Sequence, residues 1–208
     1  MKSPGERWRW MVAVCVALLP VALIVVPLFS YSENVHTAEE STAFDRIRLA
    51  MRCFWYDPSA SLWKPSTWRL DSNFPLGTAF LFALPQGLGL DPSRSARLFS
   101  AAAAIVASLT TLRVLAPRFG PLLAGIAAAF LWSVPSFARA AVVSGEEALF
   151  TAAMLLALHG LLDRRRWPIA SVLWANAMVL FRLDAMVVLP AYAALAFALY
   201  GKRRGAVI

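Results

Sequence analysis

The feature that most constrains this chain is a series of apolar runs bounded by basic residues, Pro and Gly. The first runs from Trp10 to Phe29, and others cover 98–112, 121–136, 148–162, 168–181 and 185–200. A bilayer core is crossed by about 20 apolar residues in a helix. Over the whole chain 60% of residues are hydrophobic and only 15% charged, where a soluble domain has about half and a quarter. The mean hydropathy is +0.63. A water-soluble domain is excluded. The net charge of +8 does not point to nucleic acid, because the Lys and Arg residues punctuate apolar runs instead of sharing one face. Cys15 lies in the first apolar run and Cys53 in a polar stretch, so they are not expected to pair. No CxxC or His/Cys cluster suggests structural zinc.

The first run follows Lys2, Arg7 and Arg9. It is long for a signal-peptide core and no A-x-A site follows it, so it reads as an uncleaved anchor. One further segment, Phe74–Leu90, is short and broken by Pro75, Gly77, Pro85, Gly87 and Gly89. Whether it spans sets the topology, and positive charge in short loops belongs on the cytoplasmic side. With six spans and no crossing at 74–90, eleven Lys and Arg residues fall inside and only Arg139 and Arg182 in short outer turns. With a seventh crossing the same count is seven inside against eight outside. Six spans are expected, with both termini cytoplasmic (1–9 and 201–208). Outer segments then cover 30–97 and 137–147, and ten of the twelve acidic residues face out. Irregular backbone cannot face lipid, so the broken segment is expected as one or two short helices at the outer membrane face. The fold class is an all-α polytopic helix bundle, with small residues at 101–104 and 124–129 suited to close packing in lipid.

The long outer segment carries most of the chemistry. Thr37-Ala38-Glu39-Glu40 has the T-x-x-E form of a capping box. Behind it Phe44, Ile47, Met51, Phe54 and Trp55 recur at helical spacing, as in an amphipathic helix on the membrane surface. Ser144-Gly145-Glu146-Glu147 repeats the device at the start of the fourth span. In each pair the second acid has a capping duty, whereas Glu39 and Glu146 have none. A carboxylate at a helix N-terminus is held ionised, as a general base or metal ligand requires. Lys64, Arg69 and Arg139 lie outside with the acids and could grip a phosphate or lipid head groups. Arg182 could pair with Asp184 across a tight corner. His36 lies close to the first acid pair, while His159 is remote from it and suits packing. Trp55, Tyr56, Trp63 and Trp68 suit an aromatic belt or a sugar platform. Asn176 is nearly alone as a polar group within the spans, which speaks against a transporter.

The order of these parts carries a resemblance. A basic N-terminus and one span precede TAEESTAFDRIRLA, then WKPSTWRLDSNFPLGTAFLFALPQGLGL and DPSRSARLFSAAAAIVASLTTLRVLAPRFG. ARAAVVSGEEALFTAAMLLALHGLL, RRRW and FRLDAMVVLP come after them. Over nearly the whole chain this resembles the N-terminal core of the GT-C polytopic glycosyltransferases. That group includes protein O-mannosyltransferases, lipid A aminoarabinose transferases and bacterial mannosyltransferase-like proteins. The resemblance implies an inverting transferase that takes a sugar from a polyprenyl-phosphate donor. The acceptor would be an extracytoplasmic glycan, lipid or protein, at a bacterial inner or plasma membrane. The family's first-loop acid, the general base, falls on Glu39 with Glu40 beside it, and its second-loop acid on Glu146 or Glu147. Lys64, Arg69, Arg139 and Arg182 become the candidates for stabilising the leaving lipid phosphate. No cofactor is required, although two acid pairs could hold a divalent cation. Glu39 stands where the family more often has Asp. Family members are usually longer, so 1–208 reads as one truncated transmembrane domain. It would be the catalytic core, or a non-catalytic subunit or fragment that keeps the fold and works with a partner membrane subunit.

Overall fold

A computed structural model describes residues 4–26, 81, 92–142, 146–162, 168–182 and 185–204. Among these residues the fold is helical throughout. Helix α1 covers Pro4–Pro20 and runs on into a π-helical turn, Val21–Val25. Helix α2 covers Pro92–Phe119, α3 Pro121–Phe130 and α4 Pro135–Val142. Helix α5 covers Glu146–Leu162, α6 Pro168–Phe181 and α7 Ala185–Arg204.

Proline sets most of the boundaries. Helices α1, α2, α3, α4 and α6 each begin on one, where its missing N–H would have had no partner. Ahead of Pro121, Gly120 has φ of 78°, a conformation that costs glycine little and other residues more. Pro20 has no N–H to give the carbonyl four residues back, and the helix loosens into the π-turn immediately after it, with Val26 N–H bonded to Val21 O.

Val134, preceding Pro135, is extended with φ −82° and ψ 111°. A residue before proline is pushed out of the helical region. The chain accordingly turns by 80° between 121–133 and α4. Residues 137–142, expected in an outer loop, are therefore helical, and Phe137, Ala140, Ala141 and Val142 are buried. Likewise the second span, expected over 98–112, sits inside the 28-residue α2, about 42 Å long at 1.5 Å per residue.

Packing is small-inside and large-outside. The buried set is dominated by alanine, while Leu23, Leu123, Phe130, Ile169, Leu173, Val187 and Phe197 are exposed. Between helices in lipid there is no hydrophobic drive to bury large side chains, and small residues let backbones approach. At the α1–α3 crossing, Ala13, Ala17, Leu112, Ala116, Ala124 and Ala128 form one cluster. Gly125 sits so near α1 that a Cβ on it would lie 2.6 Å from the Ala13 carbonyl oxygen. A second cluster joins α2, α4 and α5 and takes in Leu81 at its edge. There Trp132 Nε1–H donates to Ser108 Oγ (2.9 Å), Ser108 donates to Ala104 O (3.0 Å), and the Trp132 and Phe137 rings meet edge to face. The third joins α5, α6 and α7. In it Ser171 Oγ donates to Ala157 O (2.6 Å) and is hydrogen-bonded to the Tyr192 hydroxyl.

Two helical stretches, Gly5–Val25 and Arg97–Phe119, are long and apolar enough to cross a membrane. The bent pair 121–133 and 135–142 makes a third if it is one span, and Ile169–Phe181 and Ala185–Leu199 are shorter apolar helices. This is the helix set of a membrane protein.

Candidate functional site

Helix α5 begins with two carboxylates, Glu146 and Glu147. The start of a helix is the positive end of its dipole, which attracts negative charge. Helices α5 and α6 are packed side by side, and a third residue arrives from the end of α6. Arg182 N–H donates to Met178 O (2.9 Å) and Ala185 N–H to Arg182 O (3.1 Å), a tight corner between α6 and α7. From this corner an Arg182 Nη reaches Glu147 Oε1 at 3.1 Å and Glu146 Oε1 at 3.6 Å. A cation at the C-terminal end of one helix thus meets two anions at the N-terminal start of its neighbour, and both dipoles favour the arrangement.

The site is wet. The Arg182 side chain is about 25% exposed and Glu147 46%, so the pairs contribute at most about 1 kcal/mol to stability. Two carboxylates and one guanidinium thus converge at the mouth of the α5–α6 pair. The guanidinium has five N–H donors, so it can hold more than one acceptor at once. Arg139 is exposed on α4. It stands three residues before the end of that helix, and only residues 143–145 separate α4 from Glu146, so Arg139 belongs to this end of the bundle.

Among the described residues no three His, Cys, Asp or Glu side chains gather as a metal site. Glu39, Glu40, Lys64 and Arg69 lie outside the described residues. So do His36, the surface helix expected at 44–55, most of the broken segment 74–90, the aromatic residues 55, 56, 63 and 68, the Ser144 cap and Asp184. Of the eight candidate site residues, the structure brings together Glu146, Glu147 and Arg182. His159 lies half-buried in the last turn of α5, and Asn176 turns its amide back onto its own helix at Val172 O (2.8 Å).

Arg97 was missed as a buried group. Boundaries drawn from hydropathy leave it in the outer loop, whereas it lies within α2 and is only 6% exposed. The signal was present in Pro92, a proline at the first helical position, which starts the helix early enough to include Arg97. The chain matches no protein-family model, no curated protein and no solved structure.

Proposed function

We propose that this chain is an inverting, polytopic membrane glycosyltransferase, or the catalytic core of one. It would move a sugar from a polyprenyl-phosphate donor to an extracytoplasmic acceptor. The observation that carries the reading is the meeting of Glu146, Glu147 and Arg182 at one end of α5 and α6. Residues 36 positions apart in sequence converge there on the side that the six-span charge count makes extracytoplasmic, with both termini cytoplasmic.

In this reading Glu39 accepts the proton of the acceptor hydroxyl, with Glu40 beside it, as an ionised carboxylate within hydrogen-bond reach can. The freed oxygen attacks the sugar C1 from the face opposite the lipid phosphate. The C1–O bond breaks, its electron pair leaves on the phosphate, and the configuration at C1 inverts. Lys64, Arg69, Arg139 and Arg182 supply cations where that negative charge develops. Glu146 and Glu147 hold Arg182 in place and exchange part of its hydrogen bonding for the phosphate. Were a divalent cation bound, Glu39, Glu40, Glu146 and Glu147 would be the residues to hold it, and it would supply positive charge of the kind the arginines bring to the leaving phosphate.

A second reading has one observation in its favour. Arg182 is already engaged by two carboxylates, as a structural brace would be, which suits a non-catalytic membrane subunit that keeps the fold. Lipid-linked sugars extracted from the native host separate the two. Wild type, a deletion and Glu39→Gln are compared at equal membrane abundance. Accumulation of one unused donor in both the deletion and Glu39→Gln is the expected result. Accumulation in the deletion alone removes Glu39 as the base and favours the subunit, and no change in either refutes the transferase.

A further inference from the structure

Helix α6 has two faces of opposite character. Ser171, Ala175 and Met178, four and three residues apart, are buried on the side that packs along α5. On the reverse side Ile169, Leu173, Asn176 and Leu180 are all exposed. Their spacing of four, three and four residues keeps them within roughly 60° of one another around the helix, at 3.6 residues per turn. This is the heptad seam along which two helices pack knobs into holes in a left-handed pair, in water and in lipid alike.

The seam has one polar member, Asn176, near the middle of the 14-residue helix. One amide N–H donates to Val172 O at 2.8 Å, and the side-chain carbonyl oxygen and second N–H have no partner among the described residues. Hydrocarbon offers neither donor nor acceptor, so an amide left facing lipid costs free energy. A carboxamide carries donor and acceptor together, so two of them set face to face satisfy each other. One asparagine in an otherwise apolar seam is also the device that fixes register and strand number in paired helices.

The occupant follows from symmetry. Copies of the chain share one orientation in the membrane, so α6 of one copy runs parallel to α6 of another. A two-fold axis along the membrane normal then brings each seam residue against itself, and the second copy presents its amide at the depth of the first. We infer that α6 is the interface of a homodimer, in which Ile169, Leu173 and Leu180 of two copies interdigitate about a hydrogen-bonded Asn176 pair. The inference rests on the apolar α6 lying within the membrane and is independent of the transfer reaction.

The test uses the full chain reconstituted in phosphatidylcholine vesicles. With Cys15→Ala and Cys53→Ala as background, a cysteine is placed in turn at each position from 169 to 180 and oxidised. Cross-linking between copies should peak at 169, 173, 176 and 180 and be least at the buried positions 171, 175 and 178. Self-association is read by energy transfer between donor- and acceptor-labelled copies over a range of protein-to-lipid ratios, with helical circular dichroism as the check on folding. Asn176→Leu keeps the helix and its exposed apolar surface and should weaken association about three- to thirtyfold, the worth of an interhelical hydrogen bond in lipid. Leu123→Ala, at an exposed position on α3, should leave it unchanged. Transfer no greater than chance encounter at every ratio overturns the inference, as does cross-linking without the four-three period. Association equal in wild type and Asn176→Leu overturns the role of the amide pair. A different membrane protein recovered in fixed ratio with the wild type from native membranes, and lost with Asn176→Leu, overturns the second copy in favour of a partner subunit.

Discussion

Replacing Gly125 by alanine is the sharpest probe of how the bundle is held together. The new Cβ would sit 2.6 Å from Ala13 O, 3.0 Å from Ala13 Cα and 3.2 Å from Ala13 C. All three are backbone atoms, so no side chain can swing aside. Restoring ordinary contact at 3.4 Å requires α1 and α3 to part by about 0.8 Å. A radial gap of that size forfeits about a quarter to a half of each dispersion contact along the crossing, where the Ala13, Ala17, Ala124 and Ala128 side chains meet. Overpacking of this kind costs about 1–3 kcal/mol, and about 1 kcal/mol returns because alanine is the better helix former. The net expectation is a loss of up to about 2 kcal/mol, and of about 1–3 kcal/mol relative to a Gly→Ala control that gains the same propensity without the clash. It is read by reversible unfolding in mixed micelles and by weakened cross-linking between cysteines placed on α1 and α3. Gly5→Ala is the control, with nothing within 4 Å of its Cβ. A Gly125→Ala protein as stable as the control, with unchanged cross-linking, refutes the close crossing.

Two other outcomes rest on specific contacts. Ser108→Ala leaves the buried Trp132 indole N–H without its acceptor and should cost about 1–3 kcal/mol. Adding Trp132→Phe should cost less than the two single changes summed, as a double-mutant cycle in micelles would measure. Arg182→Gln should shift stability by no more than about 1 kcal/mol, since its partners are partly exposed, while transfer from the lipid-linked donor falls steeply. A loss above about 3 kcal/mol with turnover per folded molecule unchanged would make Arg182 a brace.

The helical class and the positions of the apolar stretches were legible because lipid imposes a single strong requirement, and hydropathy reports it directly. Edges were read less well, because hydropathy is blind to caps. Pro92 starts α2 ahead of the apolar residues and carries Arg97 inside with it. Val134-Pro135 was visible as a pair, yet its consequence is an 80° turn into another helix. Whether a helix resumes beyond a proline depends on the surface its residues find to pack on. Phe137 finds one against Trp132. At the site, the charge count puts Arg182 on the same side as Glu146 and Glu147. That α6 would end beside the start of α5 is a non-local fact of packing, and the local partner Asp184 was the natural expectation. Small residues at 124–129 announced a close helix contact, but nothing in the run names Ala13 as the neighbour.

The alanine interior also governs how the sequence can vary. In a soluble protein, truncating buried side chains opens cavities and is the principal source of damage. Here Ala13, Ala17, Ala104, Ala107, Ala124, Ala128, Ala141, Ala148 and Ala157 have no exposed surface and only one methyl group each to lose. Damage therefore comes from growth. A saturation scan should show tolerance falling with added volume at these positions and staying nearly flat across the lipid-facing leucines and phenylalanines. Over generations the interior would hold its volumes almost fixed while the exterior exchanged one large apolar residue for another.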